Sequence, residues 1–493
     1  MITFVLSLVA LVLGYFIYGK VVEKIFKPDN RETPAVRIND GVDYLVMPSW
    51  KVFMIQFLNI AGTGPIFGAI MGMWFGTSAY LWIVFGCIFA GAVHDYFSGM
   101  LSMRHDGCGL PVLVGQFLGN NVKQVMLVFS VFLLVMVGVV FVYSPAIILE
   151  DIWANRIFWI FVIFVYYIIA TLLPIDKIIG KIYPLFAFSL LFMAVALMIG
   201  LFIKQPQLPE VWEGLSNLGA EQFGMSSPIF PALFITIACG AISGFHATQS
   251  PLMSRCLKSE KMGRPVFYGA MITEGMVALI WATISSYFFF YGGWKEVAPA
   301  DLVMQYEQSG KTLIQFFDAP TVVKLVCSSW LGIFGGILAL LGVVAAPITS
   351  GDTAFRSARL IIAEFLHLEQ RTMAKRLIVA VPMFAASIAF LFWQIENPDG
   401  FNIIWQYFGW SNQTLSVFTL WAITVYLVRE KKPYVVTLIP AVFMTVVCIT
   451  FILVSKNGFG LSETVGYGIA GATMILSFAW FFTWKTKSGR CQI

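Results

Sequence analysis

The chain has 493 residues, 59% hydrophobic and only 12% charged, with a mean hydropathy of +0.83. That composition excludes a soluble enzyme and marks an all-α polytopic membrane protein whose first partner is the lipid bilayer. The net charge of +5 is spread over loops with no dense basic run, which excludes a nucleic-acid partner, and the seven cysteines form no CxxC pair or Cys/His cluster.

A spanning helix needs about 20 apolar residues, and about thirteen segments qualify. In chain order they are 2–19, 53–74, 77–103, 123–149, 156–173, 180–203, 229–250, 265–291, 326–350, 375–395, 402–428, 434–454 and 463–484. No basic residue and no small-residue cleavage site accompanies the first, so it reads as a retained helix and not a removed signal. Basic residues fix the orientation. The connection 20–52 holds Lys20, Lys24, Lys27, Arg31, Arg37 and Lys51, whereas the turn near Gly76 holds none. The same alternation recurs at 251–264, 351–376 and 429–432, and 292–325 is its weakest member, with three lysines beside four acids. The N-terminus is therefore expected outside and the C-terminus in the cytoplasm.

Two segments should not stay helical. FLNIAGTGPIFGAIMGMWFG, from Phe57 to Gly76, carries Gly62, Gly64 and Pro65 in its middle. Glycine weakens a helix interior, and proline removes a donor and clashes with the preceding turn. In lipid such a break needs other protein groups or a polar cavity around it. The span 229–250 repeats the pattern with Gly240 and Gly244, followed by His246 and Gln249. Five spans separate their starts, counting the first and not the second, and an odd offset reverses direction across the membrane. The order predicts two inverted five-helix repeats, 53–203 and 229–428, joined by 204–228. The segment 1–52 precedes them, and 429–493 adds two helices and a short tail. A kink that serves only packing is the bland alternative.

Ionisable groups within spans are expensive and functional by default. In GAVHDYFSG, Asp95 shares a helical face with Gly91, Ser98, Gly99 and Ser102, while His94 points about 100° away. Asp95 either acts directly or pairs with an arginine or caps a backbone break. Glu274 occupies the matching span of the second repeat, where it could carry a proton, with His246 as its expected partner. In PITSGDTAFRSAR the oxygen donors Thr349, Ser350, Asp352 and Thr353 could meet carbonyls freed near Ala61 and Gly62 and hold sodium; an ordinary helix N-cap is the alternative. Asn412 and Gln413 lie mid-span among Trp405, Tyr407 and Trp410, and Asn59 precedes the first break. Aromatic walls with a few amides suit a small polar ligand, and interfacial anchoring suits the tryptophans equally. The expected substrate site comprises Asn59, Gly62, Gly64, Gly240, Ser243, Gly244, His246, Asn412 and Gln413. Two half-helix N-termini facing one cavity favour an anionic group.

The strings NIAGTGPIFGAI (59–70), FAGAVHDYFSGMLSMRHDG (89–107), CGAISGFHATQSP (239–251), MITEGMVALI (271–280) and PITSGDTAFRSARLIIAEF (347–365) resemble the carbon starvation protein A (CstA) family, in its shorter members. SGFHATQSPLMSR departs from the longer members, whose loop is richer in Ser and Thr. The resemblance implies a bacterial inner-membrane transporter taking up peptides or pyruvate under carbon starvation, coupled to protons or sodium. It also implies the LeuT-like inverted repeat, with residues 59–68 and 239–247 binding substrate and Thr349, Ser350 and Thr353 supplying hydroxyls to a cation. The combined expectation is a secondary active importer of a small carboxylate-bearing solute, with no cofactor and with Asp95, Glu274 and Asp352 as acidic coupling groups. The rivals are a channel, a solute sensor and an intramembrane enzyme. The three helices outside the repeats offer a dimer surface or a lipid buffer.

Overall fold

The computed structural model describes every residue except 41–43, 151–152, 173–174, 369–371, 398–399 and 491–493. The expected span end at 173, and part of the expected connections 351–376 and 396–401, lie outside the described residues. Among these residues there is helix and no strand. In order the long helices are α1 (Ile2–Phe26), the bent pair α2 (Ser49–Ala61) and α3 (Gly64–Phe75), α4 (Ser78–Arg104), α5 (Asn120–Glu150), α6 (Arg156–Leu172) and α7 (Ile175–Lys204). The short pair α8 (Ile229–Thr236) and α9 (His246–Ser254) follows. Then come α10 (Glu260–Phe290), α11 (Ala319–Phe365), α12 (Met373–Glu396), α13 (Gly400–Arg429), α14 (Val435–Val454) and α15 (Glu463–Arg490).

Among the described residues, nine helices are long and apolar enough to cross a membrane, or ten with α2 and α3 taken as one span. The chain is therefore a multi-pass membrane protein. Three expected segments fall outside that set for separate reasons. α6 is short, 229–250 is split between α8 and α9, and α13 carries the polar string around Asn412. The expected span 326–350 is also divided. Gly332 sits at φ 64°, a left-handed conformation open to glycine, and interrupts α11.

Burial ranks the helices. The apolar stretch of α10 is 89% buried inside the bundle, against 28% for α1 and 17% for α15, so α10 is central and the two terminal helices face outward. α11 packs along α5 and α7 and reaches α2.

The two ends of the bundle differ. At the end where α4 stops and α10 starts, residues 27–40 and 44–48 lie across the helix ends. Arg104 forks onto the buried Glu260, with Nε to Oε1 and Nη2 to Oε2 both at 3.0 Å. Glu260 also accepts the Asp29 N–H at 3.0 Å, and the Thr33 hydroxyl donates to the Leu257 carbonyl at 2.6 Å. The N–H groups of Leu45 and Met47 donate to the carbonyls of Arg255 and Cys256 at 3.2 and 3.1 Å. At the opposite end two adjoining cavities of ≈ 590 and ≈ 720 Å³ share Phe75, Ser227, Thr236, Trp405 and Gln406.

Candidate substrate and ion site

The first break is at Gly62, whose φ of 34° and ψ of −143° end α2, and α3 leaves at 54° to it. Helical N–H groups bond carbonyls four residues back, so a break at Gly62 releases the carbonyls one turn earlier. The Ser350 hydroxyl of α11 lies 3.2 Å from the Leu58 carbonyl and 3.1 Å from that of Asn59. These two carbonyls, and not the expected pair near Ala61 and Gly62, meet Ser350. The Thr349 hydroxyl returns to its own helix at Ala345 and Ala346, and that of Thr353 returns to Thr349 and Ser350. Asp352 accepts from the Tyr183 hydroxyl at 2.9 Å and stands 3.8 Å from the Arg356 guanidinium, so it meets α7. Of the four expected oxygen donors only Ser350 spans to the break.

Two polar side chains at this break are fully buried without a hydrogen-bond partner. They are Asn59, through both its amide atoms, and Thr63, through its hydroxyl.

The second break, residues 237–245, is closed by protein groups. The Asn412 side-chain oxygen accepts from the Phe245 N–H at 2.7 Å and from the Ser243 hydroxyl at 3.0 Å. The Asn412 carbonyl accepts from the Gly244 N–H at 3.2 Å. The Gln413 amide donates to the Phe234 carbonyl at 2.8 Å, and the Trp82 indole donates to that of Ile237 at 3.0 Å. A Cβ on Gly244 would stand 2.3 Å from the Asn412 carbonyl, so only glycine fits. Asn412 and Gln413 thus lie at the expected site; the Asn412 side-chain oxygen is spent on the unwound backbone and the Gln413 nitrogen on the end of α8, while the Gln413 side-chain oxygen is buried without a hydrogen bond. Trp82 gave no sequence signal beyond that of a membrane aromatic.

The two breaks adjoin. A Cβ on Gly64 would meet the Cys239 Cβ at 2.3 Å, and one on Gly240 would lie 3.7 Å from Pro65. Beside them runs a chain of buried ionisable groups. His94 Nδ1 and His246 Nδ1 each stand 2.8 Å from one oxygen of Asp95. His246 Nε2 lies 3.4 Å from Glu274 Oε2. All four side chains are fully buried, and neither Glu274 oxygen makes a hydrogen bond. The partners of Asp95 are thus two histidines, not an arginine or a helix end, while Glu274 faces its expected partner. The Cys239 thiol, the His246 ring and the Glu274 carboxylate offer atoms within 4.8 Å of one another. Sequence spacing gave no hint of that meeting. A carboxylate that orients one ring nitrogen presents the other in a fixed direction, here toward Glu274.

The family described as "Carbon starvation protein CstA" matches residues 1–146, 142–328 and 321–451. An uncharacterized membrane protein of Haemophilus influenzae is 46% identical over 59% of this chain and 91% of its own. The peptide transporter CstA of Bacillus subtilis is 25% identical over 99% of this chain and 98% of its own. The pyruvate/proton symporter BtsT of Escherichia coli is 24% identical over 88% and 78%. A manganese transporter of Eremococcus coleocola, solved as a point mutant, aligns with a TM-score of 0.58 at 13% identity over 92% of this chain and 99% of that one, which is a likeness of fold.

Proposed function

Since the chain belongs to the carbon starvation protein CstA family, and so is a membrane transporter, we propose that it imports a small carboxylate-bearing nutrient, a peptide or pyruvate, by proton-coupled alternating access during carbon limitation. The observation that carries this reading is the pair of adjoining unwound segments with buried polar side chains, Asn59 and Thr63, that make no hydrogen bond, and with the buried His246–Glu274 pair beside them. Burying an unpaired polar group costs about 1–3 kcal/mol, so Asn59 and Thr63 stand to gain from a passing ligand. The N-terminal ends of α3 and α9 bring partial positive charge toward that ligand's carboxylate.

The coupling follows from charge. With Asp95 holding His246 Nδ1–H, one further proton is shared between Nε2 and Glu274. Without it, Glu274 is a carboxylate that repels the substrate's own. With it, the repulsion is relieved, so proton and anion enter together. Sodium coupling at Ser350 is the second reading, favoured by the carbonyls of Leu58 and Asn59. There the serine hydroxyl already bridges both acceptors, and the proton reading needs no such displacement.

In this reading the thirteen segments are spans, with a LeuT-like core of five plus five helices over 53–203 and 229–428. One helix precedes the core and two follow it. The basic connections lie in the cytoplasm and both cavities open outside, which supports an outward-facing arrangement with residues 27–40 and 44–48 across the inner end. The test is uptake of pyruvate and of a dipeptide into proteoliposomes, under pH and sodium gradients imposed separately. An inward proton gradient should drive accumulation of unchanged solute. Accumulation that follows sodium alone, or solute that is chemically altered, overturns the reading.

A further inference from the structure

An apolar groove of ≈ 280 Å³ lies between the start of α5, the C-terminal half of α13 and the C-terminal part of α15. Phe117, Val122, Phe418, Trp421, Phe481 and Trp484 line it. Its neighbour Trp480 is 70% exposed, so the groove opens on the outward face of α15. At one end the walls carry cations. The Arg429 guanidinium stands 5.8 Å from the Phe117 ring centre and donates to the carbonyls of Gln116 and Phe117 at 3.2 and 3.3 Å. The Lys485 ammonium lies 4.5 Å over the Tyr434 ring and donates to its hydroxyl at 2.8 Å, and Tyr434 packs on Phe481. Lys432 lies 5.3 Å over Tyr426, which packs edge-on against Phe117. The acidic residue of the connecting turn, Glu430, is outnumbered by Arg429, Lys431 and Lys432.

We infer that this groove is a binding site for an anionic phospholipid, whose acyl chain lies along the aromatic wall and whose phosphate meets Arg429 and Lys485. The bulk bilayer can cover any apolar face, but it does not explain cations collected at one end of this groove. Basic pockets between spans on the cytoplasmic side suit anionic headgroups, at about 1 kcal/mol per Lys or Arg. Aromatic rings at that level anchor the chain near the interface. A second copy of this chain seated on α15 would bring its own basic turn to the same place, where like charges oppose it. The inference is independent of the transported solute.

The experiment uses the full chain, purified in mild detergent and titrated with phosphatidylglycerol or phosphatidylcholine while bound lipid is counted by native mass spectrometry. Phosphatidylglycerol should be retained at least about tenfold better, and Arg429→Gln with Lys485→Gln should abolish that preference. Trp421→Ala should weaken both lipids alike. Lys485→Gln alone should give an intermediate ratio, which guards against misfolding of the double variant. Equal retention of both lipids, or an unchanged ratio in the variants, overturns the inference. So does equal competition by inorganic phosphate, which would make the ligand a free anion, or a lipid-free dimer that protects α15.

Discussion

The two breaks solve the same backbone problem differently. At Gly62 the freed carbonyls share one serine hydroxyl, while Asn59 and Thr63 are buried unpaired. At 237–245 a neighbouring helix supplies Asn412 and Gln413, and three donors converge on Asn412 alone. The first break leaves Asn59 and Thr63 wholly without partners, whereas the backbone of the second is held by a neighbouring helix, with the Gln413 side-chain oxygen left over. A buried break that the protein fills itself is scaffold, and a buried break left short is where a ligand has something to gain.

That contrast can be broken or sharpened by substitution. The largest effect is expected for Glu274→Gln, which removes the proton that the carboxylate would share with His246. Proton-driven accumulation should vanish while exchange of labelled for unlabelled solute persists; full accumulation by the variant would remove Glu274 from coupling. Next is Asn412→Leu, which strands the Phe245 N–H and the Ser243 hydroxyl. A loss of about 2–4 kcal/mol is expected, read as a lowered melting temperature in detergent. Gly64→Ala should cost about 1–3 kcal/mol through overlap with Cys239, and pairing it with Cys239→Gly should recover part of the loss. The smallest stability effect is expected for Asn59→Leu, within about 0.5 kcal/mol, because no bond is lost and an apolar side chain of similar size is tolerated when buried. The same variant should nonetheless bind solute poorly. If Asn59→Leu destabilises as strongly as Asn412→Leu, the two breaks are equivalent and the distinction fails.

Much of this was legible in the sequence. Gly62, Gly64, Pro65, Gly240 and Gly244 announce unwound backbone because each breaks a local rule inside an apolar run. His246 was the evident partner for Glu274 because few buried groups could compensate a carboxylate there. What escaped depends on tertiary approach. Ser350 meets Leu58 and Asn59 because carbonyls are freed one turn before the break, a consequence of the helical bond pattern that glycine positions alone do not display. Asp95 bridges two histidines, one adjacent in the chain and one 151 residues away. Asn412 and Gln413 read as ligand-binding amides, since nothing local tells an amide that faces a cavity from one that faces another helix's loose backbone. Gly332 sits in an apolar stretch whose composition continues on both sides, so its left-handed turn had no flanking signal.

The clamp made by Asn412 has one further consequence. Because the unwound stretch 237–245 is held by a neighbouring helix of the same chain, its shape does not depend on a bound ligand. On the proposed alternating-access cycle it need not refold around each new passenger, and the homeward journey, empty-handed, starts from the same geometry as the loaded one.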